Sequence, residues 1–269
     1  MFAKTALQTA VRTSARGMAT RTPIVGGNWK CNAGNGIANG DVTALVDGLN
    51  ALPAPKCEVY IAPPSLYLKD VKASAKSHFN VSAQNTWKLT KGAYTGEVSP
   101  EMLLDSNIEW TLIGHSERRD IFGEDDALLG EKIAHCQSLG LNVVACLGEH
   151  LPAREAGKYM DSLIPNLQAI CNNVTDWSKV VIAYEPVWAI GTGVVATPEQ
   201  AQGTNAEIRQ WIAANVSAEV ADGVRIQYGG SVNDKNCDEL AACPDIDGFL
   251  VGGACLKADS FGVILNAFK

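Results

Sequence analysis

No stretch of this 269-residue chain approaches the roughly 18–20 consecutive apolar residues that a helix needs to cross a bilayer, so a membrane-spanning helix is excluded and no membrane partner is expected. Positive charge is also scarce: 22 Lys and Arg stand against 29 Asp and Glu, a formal net charge of −7. Without a basic footprint, non-specific nucleic-acid binding is excluded, and an anionic ligand must be held by a local arrangement instead of the overall field. Proline and glycine, at 11 and 25 residues, are too few for a low-complexity polymer. There are only four histidines, and no two of the eight cysteines form a C-x-x-C pair. No ligand set therefore has zinc-like spacing, and no metal is expected. At 46% hydrophobic residues the chain can build a core without disulfide staples, so the cysteines read as reduced, mostly buried thiols suited to a reducing compartment.

Acidic residues are missing altogether from the first 40 positions. Residues 1–21 carry Lys4, Arg12, Arg16 and Arg21 among Ala, Thr and Ser, with Ala3, Leu7, Ala10 and Val11 near one face of a helical projection. An Arg-bearing, hydroxyl-rich, acid-free segment without a continuous apolar stretch reads as an organelle transit peptide. The alternatives are a disordered tail, or an untranslated leader with Met18 as the true start. The short length leans to the mitochondrion, with the plastid second; a start at Met18 places the protein in the cytoplasm. Loss of residues 1–18 removes three positive charges, so the −7 of the whole chain becomes about −10. Residues 22–269 then form the catalytic body, with no internal linker and a single domain.

From Pro23 onward a short, β-branched-rich apolar run is followed each time by a longer amphipathic stretch. The runs span residues 24–29, 59–62, 79–83, 110–113, 142–147, 180–183, 224–228 and 248–251. Most are continuous instead of alternating, as expected of strands buried on both faces of a parallel sheet. Between them, residues 41–52 place Val42, Leu45, Val46 and Leu49 on one helical face, and residues 198–216 open with Pro198 after Thr197, a favourable helix start. Eight such units over about 250 residues fit an α/β fold of the single (β/α)8 barrel type. An open doubly wound sheet would call for a G-x-G-x-x-G turn after the first strand, where this chain has Asn28, Trp29 and Lys30.

Such barrels carry their chemistry at the C-terminal ends of the strands. The polar residues there are Asn28 and Lys30, Gln84 and Asn85, His115, Ser116 and Glu117, Glu149, Glu185 and Ser231, with Gly252 and Gly253 after the last run. Asn28 and Lys30 are two apart, a spacing that aims both at the barrel axis if the strand continues. A lysine so placed needs an anion, unless it has left the strand for solvent. His115 precedes what reads as the first turn of a helix, where bare N–H donors disfavour imidazolium. A neutral ring can still donate to a carbonyl; a capping or packing role is the plainer alternative. Glu185 ends a buried run and enters an apolar, glycine-ended loop. Desolvation there would raise its pKa and make it a better base, unless it is an ordinary surface carboxylate. The loop Pro186, Val187, Trp188, Ala189, Ile190, Gly191, Thr192 and Gly193 has bulk to exclude water and glycines to move, as a lid requires. Gly-Gly pairs at 229–230 and 252–253 let the backbone approach a phosphate after the last two strands. A base, a neutral electrophile, an ammonium and a phosphate cradle suit proton abstraction alpha to a carbonyl, through an enediolate and without a cofactor.

The segments GGNWKCN at 26–32, GHSERR at 114–119, AYEPVWAIGTG at 183–193, YGGS at 228–231 and LVGGA at 250–254 resemble the triosephosphate isomerase family, and the likeness runs from Pro23 to Lys269. It implies a TIM barrel interconverting glyceraldehyde 3-phosphate and dihydroxyacetone phosphate, with Glu185 as base, His115 as electrophile, Lys30 balancing substrate charge and Asn28 holding its oxygens. Glu117 is implied as the partner that positions Lys30, and Gly191, Ser231, Gly252 and Gly253 as the phosphate site. The resemblance further implies a homodimer in which residues 84–97, with Thr95 near the tip, reach into the neighbouring subunit beside Cys31. Two departures stand out: Val194, Val195 and Ala196 replace a Lys-Thr-Ala-like hinge, with stiffer β-branched side chains, and residues 33–40 form a longer, glycine-rich segment. Two rival readings are a Schiff-base aldolase, for which Lys30 is the sole candidate, and a catalytically idle barrel serving as an interaction protein.

Overall fold

The computed structural model describes residues 21–34 and 40–268. The expectations for residues 1–20 as a leader, and for most of the glycine-rich segment at 33–40, lie outside the described residues. Eight parallel strands, β1 (Ile24–Asn28), β2 (Glu58–Ala62), β3 (Phe79–Ala83), β4 (Trp110–Ile113), β5 (Asn142–Glu149), β6 (Val180–Pro186), β7 (Arg225–Tyr228) and β8 (Gly248–Val251), close into a barrel in sequence order. The seam is the pairing of β1 with β8, from Ile24 opposite Gly248 to Gly27 opposite Val251. Around it run α1 (Asp41–Ala51), α2 (Leu68–Ser74), α3 (Pro100–Asp105), α4 (Ser116–Asp120), α5 (Asp126–Ser138), α6 (Leu151–Glu155), α7 (Tyr159–Cys171), α8 (Pro198–Asn215), α9 (Ala218–Gly223), α10 (Cys237–Ala241) and α11 (Ala258–Leu265).

Continuous apolar runs are explained by burial on both faces. In β6, Val181 and Ala183 point into the barrel while Val180, Ile182 and Tyr184 pack outward against the helices. The interior holds Ile24, Tyr60, Trp110, Leu112, Val144 and Cys146, with the Tyr60 and Trp110 rings stacked 5.7 Å apart. One polar bridge crosses this interior: Tyr60 Oη donates to Gln227 Oε1 at 2.9 Å, and Gln227 Nε2 donates to the carbonyls of Ile24 and Phe249. Helix starts follow local chemistry. Thr197 and Gln200 form a reciprocal capping box in front of Pro198, and Asp125 accepts the Leu128 N–H at the start of α5. The period of two that puts Val181 and Ala183 inside carries on to Glu185, as the Ile24 parity carries on to Asn28, so strand geometry delivers two polar side chains to one mouth. None of the described helices is long and apolar enough to cross a membrane.

Gly248 sits at the tightest point of the seam, where a Cβ would land on the carbonyl oxygen of Ile24. Because that obstacle is backbone, relief requires strand displacement. Gly248→Ala is expected to cost about 3 kcal/mol of stability, read from the denaturant midpoint, and an unshifted midpoint would show that the seam yields freely.

Candidate active site

Glu185 is almost wholly buried in the mouth, 1% exposed. Its Oε2 accepts the Ser116 N–H at 2.9 Å, and its Oε1 lies 3.0 Å from His115 Nε2 and 3.3 Å from Ser116 Oγ. Desolvation was expected to raise this carboxyl's pKa. Burial is indeed the largest single influence and acts upward, but His115, the Ser116 N–H and Lys30 together outweigh it, so the pKa stands below the ordinary 4.5. The carboxylate is parked on the first turn of α4, where helix N–H donors favour negative charge.

His115 caps α4: its Nδ1 accepts the Glu117 N–H at 3.3 Å. An accepting Nδ1 carries no hydrogen, which assigns the ring proton to Nε2, facing Glu185. Burial disfavours the charged ring, yet the adjacent Glu185 carboxylate prevails and lifts the His115 pKa above 6.5. The argument for a neutral ring from the helix N-terminus thus applies once that carboxylate has moved away. Arg119 fixes α4 itself, donating to the carbonyls of Gly114 and Cys146 and pairing with Asp126 at 2.7 Å.

Lys30 reaches the mouth by a different route from the one the sequence spacing suggests. The strand ends at Asn28, and Lys30 has a left-handed φ of 54°, so strand alternation does not aim it. Two contacts hold this unfavourable backbone: Lys30 N–H donates to Asn28 Oδ1 at 2.9 Å, and Gln84 Nε2 donates to the Lys30 carbonyl at 2.8 Å. Its ammonium lies 2.8 Å from Glu117 Oε1.

Asn28, Lys30, His115 and Glu185 line one cavity of about 340 Å³ with Ile190, Gly191, Gly230, Ser231, Gly252 and Gly253. Pro186 ends β6, residues Val187–Ala189 make a short helical turn, and Gly191 and Gly193 take φ of 68° and 82°. The tip from Gly191 through Thr192 to Val195 is exposed. Two contacts dock this segment on the barrel, Trp188 Nε1 donating to Glu149 Oε1 at 2.8 Å and Ser231 Oγ to the Ala189 carbonyl at 2.6 Å, while Thr192 Oγ1 donates to the Trp188 carbonyl at 2.8 Å within it. Glu149 is fully buried and also accepts from Tyr184 Oη; burial raises its pKa despite both donors. Neither Ser116 nor Glu149 had been given a part beyond its strand-end position. The signal for Ser116 was its place after His115; nothing in the sequence marks Glu149 as the lid's anchor.

A second cavity of about 340 Å³ lies behind the first, sharing Asn28, Lys30 and His115 and adding Cys31, Gln84, Glu97, Glu117 and Phe122. Its wall includes Arg118, which grips Glu124 at 2.5 Å, and the fully buried Lys132 holds the same carboxylate at 2.6 Å. Thr95, by contrast, is on an exposed loop, away from the residues that line the first cavity.

The sequence profile of triosephosphate isomerases matches residues 23–268. The chain belongs to the triosephosphate isomerase family. It is 53% identical over 245 residues to a chloroplastic triosephosphate isomerase of Secale cereale, covering 91% of this chain and 81% of that one. A cytosolic triosephosphate isomerase of Oryza sativa subsp. japonica is 51% identical, with 91% and 96% covered, and a chloroplastic one of Fragaria ananassa is 50% identical, with 91% and 77% covered. The compartments these family members name are the plastid and the cytosol, so the leaning of the leader toward the mitochondrion gains no support from them.

Replacing Glu185 by Gln removes the main influence that raises the His115 pKa, and leaves burial and Lys30 to lower it. The ring in Glu185→Gln is therefore expected to titrate below 6.5, measured by ¹⁵N NMR of the imidazole nitrogens. A variant ring still titrating above that value would contradict the assignment.

Proposed function

We propose that this chain works as a triose-phosphate isomerase, interconverting D-glyceraldehyde 3-phosphate and dihydroxyacetone phosphate through an enediolate. The observation that carries the reading is the convergence of Glu185, His115, Lys30 and Asn28 on one cavity bordered by two Gly-Gly pairs and a lid. For the reaction Glu185 must swing off Ser116 and into the cavity, where it lifts a proton from the carbon next to the carbonyl. The pair of electrons left behind forms the carbon–carbon double bond, and negative charge gathers on oxygen. His115 Nε2–H, the Lys30 ammonium and Asn28 are the groups that stabilise it. Glu185 then returns the proton to the neighbouring carbon, so nothing is consumed. Gly191, Ser231, Gly252 and Gly253 take the phosphate. With the lid shut, the enediolate is kept dry and its phosphate retained.

Lys30 Nζ is held by Glu117 Oε1 at 2.8 Å instead of lying in an apolar pocket, which speaks against the aldolase reading. The idle-barrel reading leaves the parked carboxylate, the oriented imidazole and the held lid without a purpose.

The second cavity and its surroundings support a homodimer. Leu66, Met102, Ile121 and Phe122 stand exposed, and Cys31 borders the cavity. Residues 84–97 project nearby, braced at the base by Trp87 N–H and Thr86 Oγ1 on the Val98 carbonyl. In this reading the loop that carries Thr95 fills the cavity of a second copy. Residues 1–20 act as an organelle leader, with the plastid as destination; a chain started at Met18 stays in the cytosol.

Shortening the base in Glu185→Asp draws the carboxylate back by about one bond length and is expected to lower kcat on the order of 10²-fold. Deuterium from heavy water should also appear in recovered substrate; its absence would reject a proton-transfer route. A bulky thiol adduct on Cys31 is expected to shift the sedimentation of the protein from dimer to monomer, whereas an intact modified dimer would rule out Cys31 as an interface residue.

A further inference from the structure

Arg21, counted with the leader on composition, is used by the barrel. Its Nε lies 2.5 Å from Asp247 Oδ1, its Nη1 donates to the Asp222 carbonyl at 3.2 Å, and its Nη2 donates to the Pro244 carbonyl at 3.1 Å. Asp247 is 7% exposed and sits immediately before β8. Its other oxygen takes Arg209 Nη2 at 2.5 Å and the Ile226 N–H at 2.8 Å, and its carbonyl takes the Ile24 N–H at 3.0 Å. One carboxylate with two guanidinium partners thus ties β1, β7, β8 and α8 at the N-terminal end of the barrel, opposite the mouth. Lys4, Arg12 and Arg16 belong to the stretch before this point.

We propose that Arg21 is a clasp on the barrel seam and that it sets the limit of leader removal, so that the scissile bond is Thr20–Arg21 or one before it. The second half rests on the reading of residues 1–20 as a leader. A processing endopeptidase adds water across one amide, leaving a carboxylate on the leader and an ammonium on the body. Cleavage after Arg21 would discard the guanidinium. The new ammonium on Thr22 is a compact charge without the planar fork that meets three acceptors at once.

Two measurements test the two halves separately. N-terminal sequencing of the protein from its own cells should find a first residue after position 1 and no later than Arg21; a first residue at Thr22 or beyond overturns the limit. Purified chains starting at Met18 with Arg21, Arg21→Lys or Arg21→Ala, and one starting at Thr22, are then compared by thermal unfolding. The Ala variant and the Thr22 start should melt about 5 °C lower, with Lys in between. Their kcat and KM should stay within about twofold, because the clasp lies at the far end of the strands from Glu185. Equal midpoints across the series overturn the clasp. A native chain still beginning at Met1 overturns the leader reading and the cleavage limit with it, while the thermal series decides the clasp independently.

Discussion

A carboxylate at 1% exposure is a costly thing to place in a protein interior, and the mouth of this barrel is organised around making Glu185 tolerable there. Strand parity in β6 forces the side chain inward. What receives it is the first turn of α4, whose Ser116 N–H and capping His115 supply the hydrogen bonds that water would have given. Lys30 and Arg119 are drawn in as consequences: one adds positive charge nearby, the other ties α4 to β5 so that the receiving donors stay in register. The same contacts that steady the resting carboxylate also mask it. In the proposed reaction the developing oxyanion takes the His115 Nε2–H that Glu185 gives up.

A second buried carboxylate governs the lid. Glu149 lies beside Glu185 in the sheet, since β5 and β6 pair Gly148 with Glu185 and Glu149 with Pro186. Its Oε1 holds the indole of Trp188 and the phenol of Tyr184 together. The segment carrying Trp188 is therefore docked to the strand next to Glu185, and movement of Trp188 must break this hydrogen bond. Val194 and Val195, just beyond this segment, are both about half exposed, so their side chains are limited by their own backbone and not by packing.

Periodicity gave away the barrel because strands enclosed on two sides leave continuous apolar runs. All eight runs correspond to strands, and the helices at 41–52 and 198–216 end one residue early, at Ala51 and Asn215. The strand ends were less legible. β5 and β6 continue to Glu149 and Pro186, since extended backbone can outlast an apolar run, whereas β1 stops at Asn28 and Lys30 turns left-handed. Charge states were the hardest to read. The direction of the Glu185 pKa depended on Ser116 and His115, 69 and 70 positions away in the chain, arriving opposite it. Nothing in the sequence marks Lys132, which is fully buried because Glu124 and Asn85 come to it from other loops. Gln227 likewise crosses the barrel interior with no local pattern to announce it.

Lys30 stands in the partition between the two cavities, lining both. Its backbone is clamped by Asn28 and Gln84, and its Nζ is held by Glu117 Oε1 at 2.8 Å. In the proposed dimer, the loop seated in the second cavity would lie against the same lysine that borders the first, so subunit assembly and the mouth would share one side chain.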